Sequence, residues 1–425
     1  MNTVNSVTSK EAMRLLNIRR QTLYAYVSRG IIRRFARPGT STNLYSMEDI
    51  YALIARKAAH RGHAAVAADA MHWGSPIFSS TVTQIDERGP HYRGHYFRDL
   101  IAHPGHFECV AELLWNGMLL DEPVTWKYAP LPKACEQVVN SFLNASDQPT
   151  ILRLMAATTL ALGESSSDEL RAGNTVELAK RLMFSYIGAI GTLGPRRQFF
   201  IPPPDTSVAS AILQALGCEP TPATVSAINA LLITAADHEL SPPTFSARVC
   251  ASSSAGLHAC IIAAISGHSG YHLGRGCDRI EALLESFSDE DEMKKTLRQK
   301  LLGGLKIPGF NLVLYPGGDP RARVLLDVAS RFSVGPKLAT TLTLVELAQN
   351  ESGQQPNIEI GLVALAYALG LPRHSAVALW ALGRTAGWVA HVIEQRLSGM
   401  PIRPRAQFAL RGAVARDLGL SASHV

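Results

Sequence analysis

The chain has 425 residues and a formal net charge of +6, with 47% hydrophobic and 18% charged residues. Those proportions exclude a disordered chain and supply enough apolar material for a large core shared among two or three domains. No uninterrupted apolar run reaches the roughly 20 residues that a bilayer span needs, so no membrane association is expected. Alanine and leucine dominate and strand-type alternation is scarce, which predicts a mostly α-helical protein. The opening "MNTVNSVTSKEAMRLL" lacks a basic flank followed by an apolar run, so no signal peptide is expected. Cys109, Cys135, Cys218, Cys250, Cys260 and Cys277 form no C-x-x-C pair and read as reduced, mostly buried thiols of a cytoplasmic protein.

The charge is unevenly placed. Residues 1–62 hold eleven Lys and Arg against three Asp and Glu, a balance of +8, which leaves −2 for the remainder of the chain. Within them, Thr8 or Ser9 can cap a short helix whose Ala12, Leu15 and Leu16 share a face. Asn17 suits a turn, Arg19 opens a second helix carrying Thr22, Leu23, Tyr24 and Val27, and Gly30 ends it. Alternating apolar and basic residues around "RPGTSTN" then predict a hairpin ending at Tyr45, and "SMEDI" starts a third helix. This order resembles the MerR-type winged helix-turn-helix. The resemblance implies that Arg19, Arg20, Gln21, Thr22 and Tyr24 lie at a DNA groove and that Arg33, Arg34 and Arg37 reach phosphates. An arginine surplus is consistent with phosphate binding, and equally with a basic docking domain that has no DNA role. One copy of such a module needs a dimer to read two half-sites.

Residues 63–79 read as a connector, and the main body is expected over 80–425. Its start, "STVTQIDERGPHYRGHYFRDLIAHPGHFECVAELLWNG", holds His91, His95, His103 and His106 in a segment made turn-rich by Gly89, Gly94 and Pro104. No interleaved thiol or acidic ligand supports a metal site there, and none is expected.

Five stretches in order carry a second resemblance. "IDERGPHYRGHYFRDLI…FECVAELLWNG", "ADHELSPPTFSARVCAS", "KIPGFNLVLYPGGDPRA", "PNIEIGLVALAYALGLP" and "GRTAGWVAHVIEQRLSGMPIRPRAQF" resemble successive motifs of the citrate synthase family, from about Ser80 to Phe408. The resemblance implies a nearly all-α subunit with large and small helical domains, the small closing one at roughly 260–370, and an obligate homodimer whose C-terminal arm reaches the partner's site. It also implies condensation of an acyl-CoA with a 2-oxo acid, usually oxaloacetate, with no metal or resident cofactor; acyl-CoA is a substrate. His238 matches the family's oxaloacetate-contacting histidine. Arg321 and Arg384 match its carboxylate-binding arginines, and Arg403, with Arg405 nearby, the one donated across the dimer.

The reacting groups depart from the pattern. "GFGH" reads "GFNL", placing Leu312 where the family has a histidine. Opposite its "G-P-x-H-G-G" loop lies "GYHLGRG", Gly270 to Gly276, with Leu273 at the histidine position and His272 one place early. The "PNVD" aspartate becomes Glu359, longer by one methylene. Losing an acid–base group costs roughly 10²–10⁴ in rate and losing an enolate-supporting donor about 10²–10³. Three readings therefore stand side by side. The protein is a degenerate, carboxylate-binding homologue that senses oxaloacetate or a citrate-like di- or tricarboxylate and carries a DNA-binding head; or an active citrate or 2-methylcitrate synthase-type acyltransferase using Glu359 and His272; or a non-catalytic partner in a heteromer with a competent paralogous citrate synthase.

Overall fold

The computed structural model describes residues 6–16, 18–28, 31–36, 43–47, 49–50, 53, 78–104, 106–145, 150–164, 174–287, 289–302, 304 and 306–404. Two compact units divide the chain, one made of 1–79 with 403–425 and the other of 80–402.

In the N-terminal unit, β1 (Ser6–Thr8) leads into α1 (Ser9–Leu16) and α2 (Arg20–Ser28), followed by β2 (Arg34–Ala36) and β3 (Asn43–Ser46). The T-x-x-E spacing at the start of α1 forms a reciprocal cap: the Thr8 N–H donates to Glu11 Oε2 at 3.0 Å and Glu11 N–H to Thr8 Oγ1 at 3.4 Å. The strands pair antiparallel in the order β1-β3-β2, with Val7 and Arg34 on either side of Tyr45. Ala12, Leu16, Leu23, Ile32, Tyr45, Ile50 and Leu53 form the core. Leu15, expected on the buried face, is 40% exposed. The unit buries the side of α1 that carries Ala12, Leu16 and the half-buried Met13, and this turns Leu15 outward.

The larger unit begins with a meander of β4 (Thr83–Asp86), β5 (Gly89–Tyr92) and β6 (His95–Tyr96), paired antiparallel in that order. Arg93 and Gly94 turn the second corner at φ of 50° and 86°. Helices make up the rest, opening with α3 (Phe97–Ala102), α4 (Phe107–Asn116), α5 (Lys133–Ala145), α6 (Ile151–Glu164) and α7 (Asn174–Ile190). The central set is α8 (Val208–Ala215), α9 (Pro222–Ala235), α10 (Pro242–Ser252), α11 (Leu257–His268) and α12 (Arg275–Glu285). The last are α13 (Glu290–Leu302), α14 (Pro320–Ala329), α15 (Pro336–Ser352), α16 (Ile358–Ala368) and α17 (Ser375–Ser398), so the mostly helical expectation holds.

Local sequence sets the helix starts that matter for the site. Asp319 caps α14 through the Arg321 N–H ahead of Pro320, and Asn357 caps α16 through the Glu359 N–H. α17 has the length and apolar character of a membrane span, yet its most apolar window is 94% buried in the protein. It is the central core helix. Its Gly383 and Gly387 admit the end of α9 and the turn after it closely: a Cβ on Gly383 would lie 3.0 Å from the Leu232 carbonyl oxygen, and one on Gly387 would lie 2.2 Å from Asp237 Oδ1.

Near its end α17 also fastens the start of the unit. Glu394 accepts from the Ser80 hydroxyl at 2.8 Å, from Thr81 N–H at 2.7 Å and Thr81 Oγ1 at 2.9 Å, and pairs with Arg248. Burial alone would raise its pKa, but these donors together bring it down to about 2 from 4.5. Stability from this latch is therefore complete above about pH 4.5 and is lost as pH falls through about 2. Thermal melts across that range should show Glu394→Gln with a lower Tm at pH 7 and a shallower acid loss than the parent.

Candidate functional site

Where α9 ends, the chain turns through Asp237 and His238 before α10. Asp237 is fully buried. Its Oδ1 accepts from Arg384 Nη1 at 3.0 Å and its Oδ2 lies 3.2 Å from His391 Nε2. Burial pushes this carboxyl up, but the neighbouring His391 and Arg384 outweigh it and hold the group far below the usual range. Arg384 Nη2 donates to Ser241 Oγ at 3.0 Å and Thr244 Oγ1 at 2.7 Å. The guanidinium is thus fixed before any ligand arrives.

His238 is the next residue. Its Nε2 is 3.1 Å from the Tyr315 hydroxyl. Burial, then the positive charges of Arg321 and Arg384, depress its pKa well below 6.5, so the imidazole is neutral at pH 7. Tyr315 comes from the loop before α14, whose Asp319 is buried and grips Arg321 in a fork: Nε to Oδ1 at 3.0 Å and Nη2 to Oδ2 at 2.8 Å. Asp319 Oδ2 also accepts from Ile358 N–H at 3.1 Å, tying α14 to α16. The fork occupies Nε and Nη2 and leaves Nη1 as the outward donor.

Asn311, where the family motif has glycine, adopts φ 56°, a left-handed conformation that asparagine tolerates. Its side-chain oxygen accepts from Gln355 N–H at 3.0 Å. Leu312 is half-buried and its carbonyl accepts from Tyr315 N–H at 2.9 Å. On the other side, the loop of Gly270 to Gly276 places Leu273 half-buried and His272 exposed, with the His272 ring edge-on to Tyr271 at 5.2 Å.

Glu359 lies at the start of α16 and is 7% exposed. Burial raises its pKa to about 7, opposed in part by the charge of Arg279. Gly276 makes the room for it, because a Cβ there would stand 2.2 Å from the Glu359 carboxyl carbon. The glutamate side chain is thus accommodated beneath the first turn of α12.

The two arginines Arg321 and Arg384 act on His238, Arg321 acts on Arg384, and Arg321 acts also on Glu359. Arg403 is exposed and belongs to the other compact unit, and Arg405 lies outside the described residues. Sequence reasoning missed Asp237, His391, Tyr315 and Asp319, which hold the recognised residues in place. Asp237 and Asp319 each stand within two residues of a predicted ligand-binding group, and His391 is seven residues after Arg384, two helical turns along the same face. Those spacings were the available signal. The histidines of the first hairpin do not join this site: His91, His95 and His103 line a separate cavity of about 400 Å³ with Arg88, Tyr96 and Asp99.

The family model for the citrate synthase C-terminal domain matches residues 71–405. The chain belongs to the citrate synthase family. It is 28% identical over 345 residues to citrate synthase 2 of Bacillus subtilis, covering 78% of this chain and 92% of that one. It is 26% identical over 330 residues to the 2-methylcitrate synthase of Mycobacterium tuberculosis, covering 75% and 84%. Among solved structures, the citrate synthase of Thermoplasma acidophilum, in a ternary complex with carboxymethyl coenzyme A and oxaloacetate, superposes with a TM-score of 0.68 at 22% identity, covering 80% of this chain and 95% of that one. The Pyrobaculum aerophilum citrate synthase gives 0.66 at 23% identity, covering 79% and 91%. These likenesses establish the citrate synthase fold for the larger unit.

In the N-terminal unit, Arg19, Arg20, Gln21 and Tyr24 are exposed and Thr22 is half-buried. Arg20 Nε donates to the Tyr24 hydroxyl at 2.8 Å. Arg33, expected to reach phosphate, instead forks onto Asp49, with Nη2 to Oδ1 at 2.8 Å and Nε to Oδ2 at 2.9 Å. Arg34 is exposed, and Arg37 lies outside the described residues.

Two outcomes follow from the buried carboxylates. Asp237→Asn leaves Arg384 buried without its counter-charge and should cost about 3–5 kcal/mol in denaturant unfolding. Glu359 behaves oppositely: between pH 4.5 and about 7 the folded state keeps a proton that the unfolded state releases, so stability falls as pH rises, by about 3 kcal/mol once above 7. Glu359→Gln should therefore raise Tm at pH 8 and leave it nearly unchanged at pH 5.

Proposed function

We propose that this protein is a carboxylate-binding member of the citrate synthase family in which condensation has been lost, with a DNA-binding head that responds to the bound acid. The observation that carries this reading is the pairing of a retained clamp with apolar groups where the family's reacting histidines belong. His238, Arg321 and Arg384 are pre-positioned by Tyr315, Asp319 and Asp237. Leu273 and Leu312 can neither donate nor accept a proton. A 2-oxo dicarboxylate such as oxaloacetate suits the clamp: the arginines take its carboxylates, and neutral His238 hydrogen-bonds its carbonyl oxygen without competing for charge. The exposed Arg19, Arg20 and Arg34 supply phosphate contacts, and a family-type symmetric homodimer would present two heads to two half-sites.

A second reading is favoured by Glu359. A carboxylate with a pKa of about 7 is matched to proton abstraction near neutral pH, as an acyl-CoA methyl group would require. His272 gives that reading no support, because it is exposed and turned toward Tyr271.

Purified protein at high concentration, given acetyl-CoA and oxaloacetate, should release no CoA above the uncatalysed rate; release that disappears in Glu359→Gln would establish the second reading instead. Oxaloacetate or citrate alone should raise Tm, and Arg321→Lys should weaken that binding about tenfold by losing the fork. In band shifts at low salt, the protein should retard duplex DNA, with affinity falling steeply as salt rises and Arg20→Ala reducing the salt slope by about one.

A further inference from the structure

On the flank of α12, away from the clamp residues, a second group of ionisable side chains meets the N-terminus of α17. One ligand-type atom from each of Asp278, Glu281 and His374 lies within 4.8 Å of the other two. His374 Nδ1 is 2.8 Å from Asp278 Oδ1 and 3.9 Å from Glu281 Oε2. The i,i+3 spacing of Asp278 and Glu281 puts both carboxylates on one helix face. His374 is held at φ 69°, a left-handed conformation rare for a residue with a side chain, and this turn also aims its N–H at Glu281 Oε2 at 3.1 Å.

The group is more than an ion pair. Glu281 is 1% exposed, and its Oε1 has no hydrogen-bond partner among the described residues. Arg373, whose charge acts on Glu281, is itself engaged with Glu285 at 2.9 Å. His374 presents its Nδ1 to Asp278. Glu281 meets His374 through Oε2, so the same carboxylate keeps a buried Oε1 with no hydrogen-bond partner among the described residues.

We propose that Asp278, Glu281 and His374 form a binding site for a divalent first-row transition metal of the Zn²⁺, Co²⁺ and Ni²⁺ class. Two carboxylates and an imidazole make a mixed oxygen and nitrogen set that suits these ions. Ca²⁺ and Mg²⁺ need about six or more oxygens, which this group does not offer. Ligand bonds of about 2.0–2.2 Å require the three atoms to draw closer than their present spread, which small rotations of Asp278 and His374 accomplish. Those two residues are 20% and 38% exposed, which gives the ion an entry path and leaves a coordination position for water. Metal at His374 Nδ1 displaces the hydrogen bond to Asp278, and any proton on that nitrogen goes to solvent. The bound ion would pin α12, whose Gly276 roofs Glu359, to α17, which carries Arg384.

The test uses the full-length protein after chelator treatment, titrated with Zn²⁺ by calorimetry and with Co²⁺ by visible absorption. One equivalent per chain should bind, with Co²⁺ d–d bands and without the near-ultraviolet charge-transfer band that a cysteine thiolate ligand produces. Asp278→Asn and His374→Ala should each weaken binding by at least about tenfold while far-ultraviolet circular dichroism stays unchanged. Glu281→Gln, which preserves shape, should do the same and guards against a misfolded alanine variant. Absence of stoichiometric binding overturns the proposal. So does binding that survives all three substitutions, which would place the ion on the hairpin histidines or the thiols. Because none of these readouts depends on condensation or on oxo-acid binding, the site stands or falls separately from the function proposed above.

Discussion

A single buried carboxylate organises the larger unit. Asp237 is held by Arg384 and His391, and the line of polar contacts continues inward: His391 Nδ1 is 3.2 Å from Arg248 Nη1, whose guanidinium also reaches Gln395 Oε1 at 3.0 Å and Glu394. Glu394 in turn holds Ser80 and Thr81. A chain of charges therefore runs through the core from the clamp to the first residues of the unit. Asp237, Arg384, His391 and Arg248 are all buried, and removing any one strands the next. The clamp's rigidity is a property of this whole line and not of Arg384 alone.

The same arrangement sets the electrostatic character of the site. Two arginines, each paired on one side with an aspartate, keep positive charge in the site, and burial together with their fields leaves His238 uncharged. An anion arriving there would meet donors that are already oriented, at little entropic cost of ordering them. Glu359 stands apart from this preparation. It is buried under Gly276 in the first turn of α12, and the charge of Arg279 offsets that burial only in part, so the carboxyl holds its proton up to neutral pH.

Much of this was legible in the sequence, and the parts that were not share a cause. The family motifs singled out His238, Arg321, Arg384 and Glu359 because each motif is a short stretch with one chemically distinctive residue. The supports were harder to see: Tyr315 sits in a loop of ordinary composition, and His391 reaches Asp237 across 154 positions of sequence. Contacts between distant segments leave no local pattern. α17 matches a membrane span in length and average apolar character, but Arg384 interrupts its apolar run, and its packing against α9 and α10 makes it a core helix. At the N-terminus, charge counting treated all arginines alike, whereas Arg33 proves to be committed to Asp49 by a fork that no composition reveals.

The contact between Gly276 and Glu359 also couples two distant positions of the chain. A Cβ at position 276 would overlap the Glu359 carboxyl, which sits at the far end of a flexible side chain and would have to swing to another rotamer to make room. Bulk at position 276 therefore steers the carboxylate without touching the backbone that carries it. The direction in which the acid points is set from across the fold, by the absence of a side chain on α12.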